Sequence, residues 1–402
     1  MIEALKTMID ASFPLQMLGS VETSSGMAEA MFCRDRDRPN EGMIQWYGQG
    51  IEAGGVLVKI RANTVASFEL RPDIFYFPDP GGGLVAPAHL ENFVELQKCR
   101  AYLRRTKTGL TGHWTDMTGI IRSIEFVNPP KPRKLRSVKL KDWAAFKAWA
   151  SDQRRIGEFV DFRGHGSNQF SLTSTLHRSG RARMERFCYE TVPRFRGQVE
   201  AILDIRLRAS DSDDFSVVLG LAQHHGLPTP LLDWTASPYV AAFFAFADAL
   251  ENLSNRKDHT HVRIYGLSRE VSMFRSSVSL TYPSPHASYL DISPRKNPRL
   301  LAQQGRFLVT NIVDLEGHFG SFEKATGRKV ITAVDVPIRF AAEALEDLFY
   351  MGLTAATMFP GLDGVCRMFK HEMLFRQEMS AGLKSSGQVA PVVLVPEQIE
   401  IV

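Results

Sequence analysis

The chain has 402 residues, a length that favours two domains over a single hydrophobic core. Its composition, 44% hydrophobic and 23% charged with 26 phenylalanines, supports compact folding and excludes general disorder. The formal net charge is +4, from 48 Lys and Arg against 44 Asp and Glu, so no nucleic-acid or membrane partner follows from the overall balance.

The opening stretch, MIEALKTMIDASFPLQML, places acids inside its apolar residues and has neither a basic leader nor a small-residue cleavage site. No run approaches the ~18 apolar residues of a membrane span. The expectation is a cytoplasmic protein without a membrane partner. Residues 1–130 then read as a β-rich domain: VLVKI at 56–60, TVASFEL at 64–70 and DIFYF at 73–77 are strands, 78–83 (PDPGGG) is a break, and 110–127 is two strands around a turn. Residues 131–141 form a basic, proline-rich linker, since the stretch 128–141, NPPKPRKLRSVKLK, holds three prolines and six basic residues without an acid. Its charge reads either as a solvated connector or as a phosphate-contacting strip.

Residues 142–402 form the second domain. Trp143, Phe146 and Trp149 share one face of a short helix and read as core. A strand, EFVDFRG, covers 158–164, followed by a basic helical stretch at 181–208, a helix at 216–225, a long apolar helix at 237–252 and a strand at 261–267. The alternation predicts an α+β fold, a mixed sheet surrounded by helices, preceded by the smaller β-rich domain.

Several motifs are absent or lack their context. Gly48, Gly50 and Ala53 match a dinucleotide fingerprint in letters, but a strand follows where the fingerprint needs a helix. The chain has no Walker A, HExxH or GxSxG sequence. Cys33, Cys99, Cys188 and Cys366 are widely spaced without a CxxC pair, so neither a zinc site nor a disulfide scaffold is expected, and no metal is expected.

The segment 221–247, LAQHHGLPTPLLDWTASPYVAAFFAFA, reads as a rigid polar connection between two helices. Ser237 before Pro238 is an N-cap, a structural role that also leaves first-turn amides facing a ligand. Asp233, Trp234 and Thr235 just upstream supply an acid, a flat aromatic and a hydroxyl, a set that suits a planar ring. His224 and His225 read either as core and capping histidines or, for one of them, as a hydrogen-bonding or proton-transfer group.

FRG at 162–164, AQHHGLPTPLLDWTASPYVAAFFA at 222–245, NPRLLAQQGRF at 297–307 and MGLTAATMFPGLDGV at 351–365 together resemble an FRG domain in order and spacing. Where such domains usually continue Pro-Thr with Arg, this chain has Pro230, and the first ~130 residues lie outside the resemblance. The blocks also resemble the three-part layout of ADP-ribosyltransferases. The resemblance implies NAD as substrate, with Arg163 holding its phosphate or ribose side and Trp234, Thr235 and Ser237 cradling nicotinamide. It further implies a catalytic set of Arg163, His224, His225, Asp233, Thr235 and Gln304. Gln303 and Gln304 stand where transferases commonly have Glu, and Asp233 is the substitute carboxylate. The implied role is an effector that modifies a macromolecular acceptor (RNA, DNA or protein), as in a toxin or anti-phage system with an inhibitory or antitoxin partner. The alternative is a non-catalytic nucleic-acid or nucleotide-binding module, for which the linker and the 181–208 arginines speak.

Overall fold

Short runs of alternating polar and apolar residues between 16 and 127 commit the first third of the chain to antiparallel hairpins. The computed structural model describes residues 13–87, 95–132, 134–208, 211–273, 279–290, 292 and 298–385. The leader reading over the first twelve residues, Arg133 of the linker and Asn297 of the third motif block lie outside them. The first sheet consists of β1 (Gln16–Thr23), β2 (Gly26–Cys33), β3 (Glu41–Tyr47), β4 (Gly54–Thr64), β5 (Ser67–Pro78), β6 (Leu84–Val85), β7 (Arg100–Arg105), β8 (Gly109–Thr115) and β9 (Ile121–Val127). Its order is β4-β3-β2-β1-β9-β8-β7-β5-β6, and an additional β4–β5 pairing closes all but β6 into a barrel. Closure removes the open edges that would otherwise recruit other chains. Phe13, Phe32, Phe68 and Phe126 fill one end of its interior, with Phe13 and Phe68 edge to face at 4.8 Å.

The strand expected over 64–70 is interrupted. Thr64 Oγ1 accepts the amide of Ala66 at 3.2 Å and lies 2.7 Å from the Ser67 hydroxyl, so a local side-chain turn ends β4 and starts β5. Both strands around 110–127 form as expected.

The second sheet holds β10 (Val138–Lys139), β11 (Phe159–His165), β12 (Leu231–Thr235), β13 (His261–Ser268), β14 (Ala287–Leu290), β15 (Gly305–Thr310) and β16 (Ile331–Pro337), in the order β10-β16-β13-β11-β12-β15-β14. β10 runs parallel to β16 and the other pairings are antiparallel, so the sheet is mixed. The named helices are α1 (Trp143–Ile156), α2 (Val192–Leu203), α3 (Ser212–His224), α4 (Pro238–Glu251), α5 (Leu315–Thr326), α6 (Ala341–Tyr350) and α7 (Leu362–Ser385). α1, α4 and α6 bury Trp143, Phe146, Phe246 and Leu348 against one sheet face, with Trp149 partly buried beside them. α5 covers the other face with Leu315 and Phe319. The fold is thus α+β, a mixed sheet with helices on both faces, preceded by a smaller β-rich unit. Among the described residues no helix is long and apolar enough to cross a membrane.

The stretch read as a linker differs in its second half. Val138 and Lys139 add to the sheet edge, the Ser137 hydroxyl donates to Asp335 at 2.8 Å, and Lys139 also pairs with that buried carboxylate. Asp335 already holds Arg263, and these donors keep it well below the usual carboxylate range despite burial.

Three arginines of the 181–208 stretch, Arg181, Arg183 and Arg186, are similarly committed. Asp35 accepts the amides of Ala182 and Arg183 at 2.9 and 3.0 Å and Arg186 Nη1 at 2.7 Å. Arg183, 2% exposed, sits between Glu41 and Glu185 at 2.6 Å each. This ion cluster ties the barrel, through Asp35 and Glu41, to the segment 181–186.

Candidate active site

The site starts from the Phe-Arg-Gly tripeptide on β11. Successive strand residues point to opposite faces, so Asp161, Arg163 and His165 share one face and Phe162 and Gly164 the other. Phe162 joins the core under α4. A Cβ on Gly164 would lie 1.9 Å from the Ala241 carbonyl oxygen and 3.0 Å from Ala245, so glycine is what lets α4 cross this strand. The alanines of the long apolar helix serve the same close approach.

Arg163 is thereby left at the sheet centre with a mostly buried guanidinium. Its Nη1 donates to the Asp233 carbonyl at 2.5 Å and its Nε to His165 Nε2 at 3.2 Å. Burial pulls the Arg163 pKa below its ordinary value, with Asp233 opposing, and burial beside Arg163 pulls His165 well below its own. His165 is therefore neutral at physiological pH and accepts the Arg163 Nε–H at its Nε2.

A cavity of about 310 Å³ opens beside Arg163. β12 contributes Asp233, Trp234 and Thr235, α3 contributes Gln223 and His224, the segment leading into β15 contributes Arg299 and Gln303, and β15 itself contributes Arg306. Phe244 of α4 and Phe359 form apolar walls, edge to face at 5.8 Å, and the Arg299 guanidinium lies 5.2 Å from the Phe359 ring centre. Gln223 is aimed by its neighbours: its Oε1 accepts the buried Thr229 hydroxyl, and its Nε2 donates to Asp233 Oδ2 at 2.7 Å. Asp233, whose side chain is 53% exposed, is the one carboxylate among the described lining residues, 3.9 Å from Arg163 Nη1.

Of the residues expected from sequence, Arg163, His224, Asp233, Trp234 and Thr235 border this cavity. Several expectations require correction. Residues 231–235 are a strand, not a bare connection between helices, because Leu231 and Leu232 are buried and β12 pairs along its length with β15. Trp234, only 2% exposed, packs with Leu172, Tyr265 and Leu308 on the α5 side, so its indole is core and no stacking platform. Ser237 caps α4, accepting the Val240 amide at 3.4 Å, and is not among the lining residues. Thr235 lines the cavity, while its oxygen also accepts the Ser237 amide at 3.1 Å. His225 is exposed at the end of α3, tilted against His224 with ring centres 4.6 Å apart. Gln304 adopts a left-handed backbone, φ 46°, and is exposed, so Gln303 is the glutamine on the wall, donating to the Met358 carbonyl at 2.9 Å.

Sequence reasoning passed over Arg299, Arg306, Phe244, Phe359 and Asp161. Asp161 is fully buried on the same strand face as Arg163. It accepts the Tyr289 hydroxyl at 2.5 Å and lies 3.2 Å from Arg306 Nε, yet burial outweighs both and raises its pKa. Arg299 and Arg306 lie in the third motif block, 297–307, where Arg306 beside Gly305 is the one local signal. Phe359 belongs to the MFPGLDG sequence, which reads locally as a helix stop.

Comparison with known protein families matches the FRG domain model over residues 158–253, from the start of β11 to just past α4. Neither the curated proteins nor the solved structures compared give a match. The matched segment carries Phe162, Arg163 and Gly164 together with Gln223, Asp233 and Thr235, and this chain is an FRG domain-containing protein.

Proposed function

We propose that the cavity binds NAD and that the protein transfers ADP-ribose from it to a macromolecular acceptor. The observation that carries this reading is the convergence of three guanidinium-bearing residues, Arg163, Arg299 and Arg306, with one carboxylate, Asp233, on a single cavity of about 310 Å³. Guanidinium groups match the oxygens of a pyrophosphate bidentately, and the Phe244 and Phe359 rings offer an apolar wall to a base or nicotinamide. In the reaction the bond between ribose C1′ and the nicotinamide nitrogen breaks, and nicotinamide leaves neutral with the bonding pair. The acceptor nucleophile bonds to C1′ and releases its proton. The oxocarbenium character that develops at C1′ calls for a nearby negative charge, which Asp233, oriented by Gln223, supplies. His224 on the same wall offers a group able to take the acceptor proton. Such chemistry suits a cytoplasmic effector, as in a toxin or anti-phage system restrained by an inhibitory protein, with RNA, DNA or protein as acceptor.

The alternative, a nucleic-acid-binding module, draws less support from the arginine-rich stretch, because Arg181, Arg183 and Arg186 are engaged by Asp37, Glu41, Glu185 and Asp35. The test is incubation of the purified chain with adenylate-labelled NAD and cell lysate, following free nicotinamide and macromolecular label. Transfer that disappears in folded Arg163→Ala and Asp233→Asn variants supports the reading. Absence of nicotinamide release, together with salt-sensitive oligonucleotide binding that needs the basic residues of 131–141, favours the module.

A further inference from the structure

The barrel carries a second cavity, larger than the first at about 510 Å³, with no part in the chemistry above. We propose that it is a receptor site for a neutral, apolar small molecule with a planar ring system.

The four phenylalanines fill only one end of the barrel. At the other end the interior is left open beneath the turns at 24–25, 48–53 and 116–120, and its volume lies within the ~300–1,000 Å³ typical of small-molecule sites. Four aromatic side chains, Trp46, Trp114, Phe75 and Phe77, line it. Both indoles are held in place: Trp46 Nε1 donates to the Glu52 carbonyl at 3.1 Å and Trp114 Nε1 to the Glu22 carbonyl at 2.9 Å. With their polar edges satisfied, the rings present apolar surface at little ordering cost on binding. Gly54 makes room for this arrangement, since a Cβ there would lie 2.4 Å from the Trp46 ring. At the mouth, Met117 and Ile120 line the cavity while remaining 54% and 52% exposed, an apolar rim in contact with water.

The wall charges say what the occupant lacks. Asp116 holds Arg122 at 3.3 Å and also accepts the amides of Thr118 and Ile120 at 2.9 and 3.0 Å. Arg100 donates to the carbonyls of Gln97 and Cys99 at 2.5 and 2.6 Å. Glu52 is exposed. The charges inside the mouth are thus paired, Asp116 with Arg122 and Arg100 with Glu69 at 4.0 Å, while Glu52 is open to solvent, so a charged ligand would lose hydration without a buried counterion, whereas a neutral apolar one would not. Burial also raises the Cys99 pKa, keeping that thiol uncharged.

The test titrates the neutral fluorophore N-phenyl-1-naphthylamine into the full chain and follows its emission under tryptophan excitation. One saturable site is expected. Affinity should fall at least tenfold in Val56→Trp, which fills the cavity, and remain within twofold of wild type in Arg163→Ala, which alters the other site. Should Val56→Trp fail to fold, hydrogen exchange of the wild type decides, with probe-dependent protection expected in β3, β4 and β8. Non-saturable binding, unchanged affinity in a folded Val56→Trp protein, or protection centred on β11 and β12 would overturn the assignment.

Discussion

Arg163 and His165, two residues apart on one strand face, form a donor–acceptor pair in which the guanidinium Nε donates to a neutral imidazole Nε2 at 3.2 Å. The histidine holds the arginine from behind while Nη1 is anchored on the Asp233 carbonyl, so the guanidinium is fixed before any ligand arrives. Such preorganisation favours recognition of a planar, bidentate oxyanion.

His165→Ala should therefore weaken NAD binding at least about tenfold, since a hydrogen bond to a charged group contributes roughly 1.5–3 kcal/mol. His165→Gln, whose carbonyl can accept the same proton, should recover most of the loss. Calorimetric titration of both variants, with melting temperatures alongside, checks this, and equal losses in the two would contradict the acceptor role.

Gly164→Ala should destabilise the fold by about 3 kcal/mol, because the added methyl meets the Ala241 backbone carbonyl, a group that cannot swing aside. Urea denaturation measures this directly. Gly197→Ala, at an open helical position with nothing within 4 Å of the added Cβ, is the control and should be neutral or slightly stabilising.

Stability should fall on moderate acidification. His177 and His286 are buried, and burial lowers the pKa of each to about 4 from an ordinary 6.5. Their folded-state values lie below the unfolded ones, so the unfolded chain binds protons first as the pH drops through 6.5, and each costs about 2 kcal/mol of stability by pH 5. Glu41 and Glu251, held at about 2, act in the same direction only below the ordinary carboxylate range, so the histidines dominate between pH 7 and 5. Denaturant unfolding at both pH values should show the loss, and His286→Gln should show about 2 kcal/mol less of it.

Much of this architecture can be read from local sequence because it rests on local rules. The hairpin at 110–127, the Ser237-Pro238 helix start and the core face of Trp143 and Phe146 need only strand alternation, capping chemistry and helical spacing. Barrel closure by β4 and β5 was hidden because it depends on pairing and not on pattern. The same limit governs the site. Arg163, Asp233 and Thr235 stand out within their own motifs, whereas Arg299, Arg306 and Phe359 reach the cavity only through the fold. Trp234 misled because, although the residue borders the cavity, its indole is buried among Leu172, Tyr265 and Leu308. Gln304 misled because only its left-handed backbone distinguishes it from Gln303.

The most direct test of NAD cleavage in the Arg163 cavity is nicotinamide release from NAD by the purified chain, compared between wild type and Arg163→Ala at matched folding. Release by the wild type in the presence of lysate, reduced at least a hundredfold in the variant, is the predicted result. Equal release by the two proteins, or none from a folded wild type supplied with protein, RNA and DNA acceptors, would contradict it.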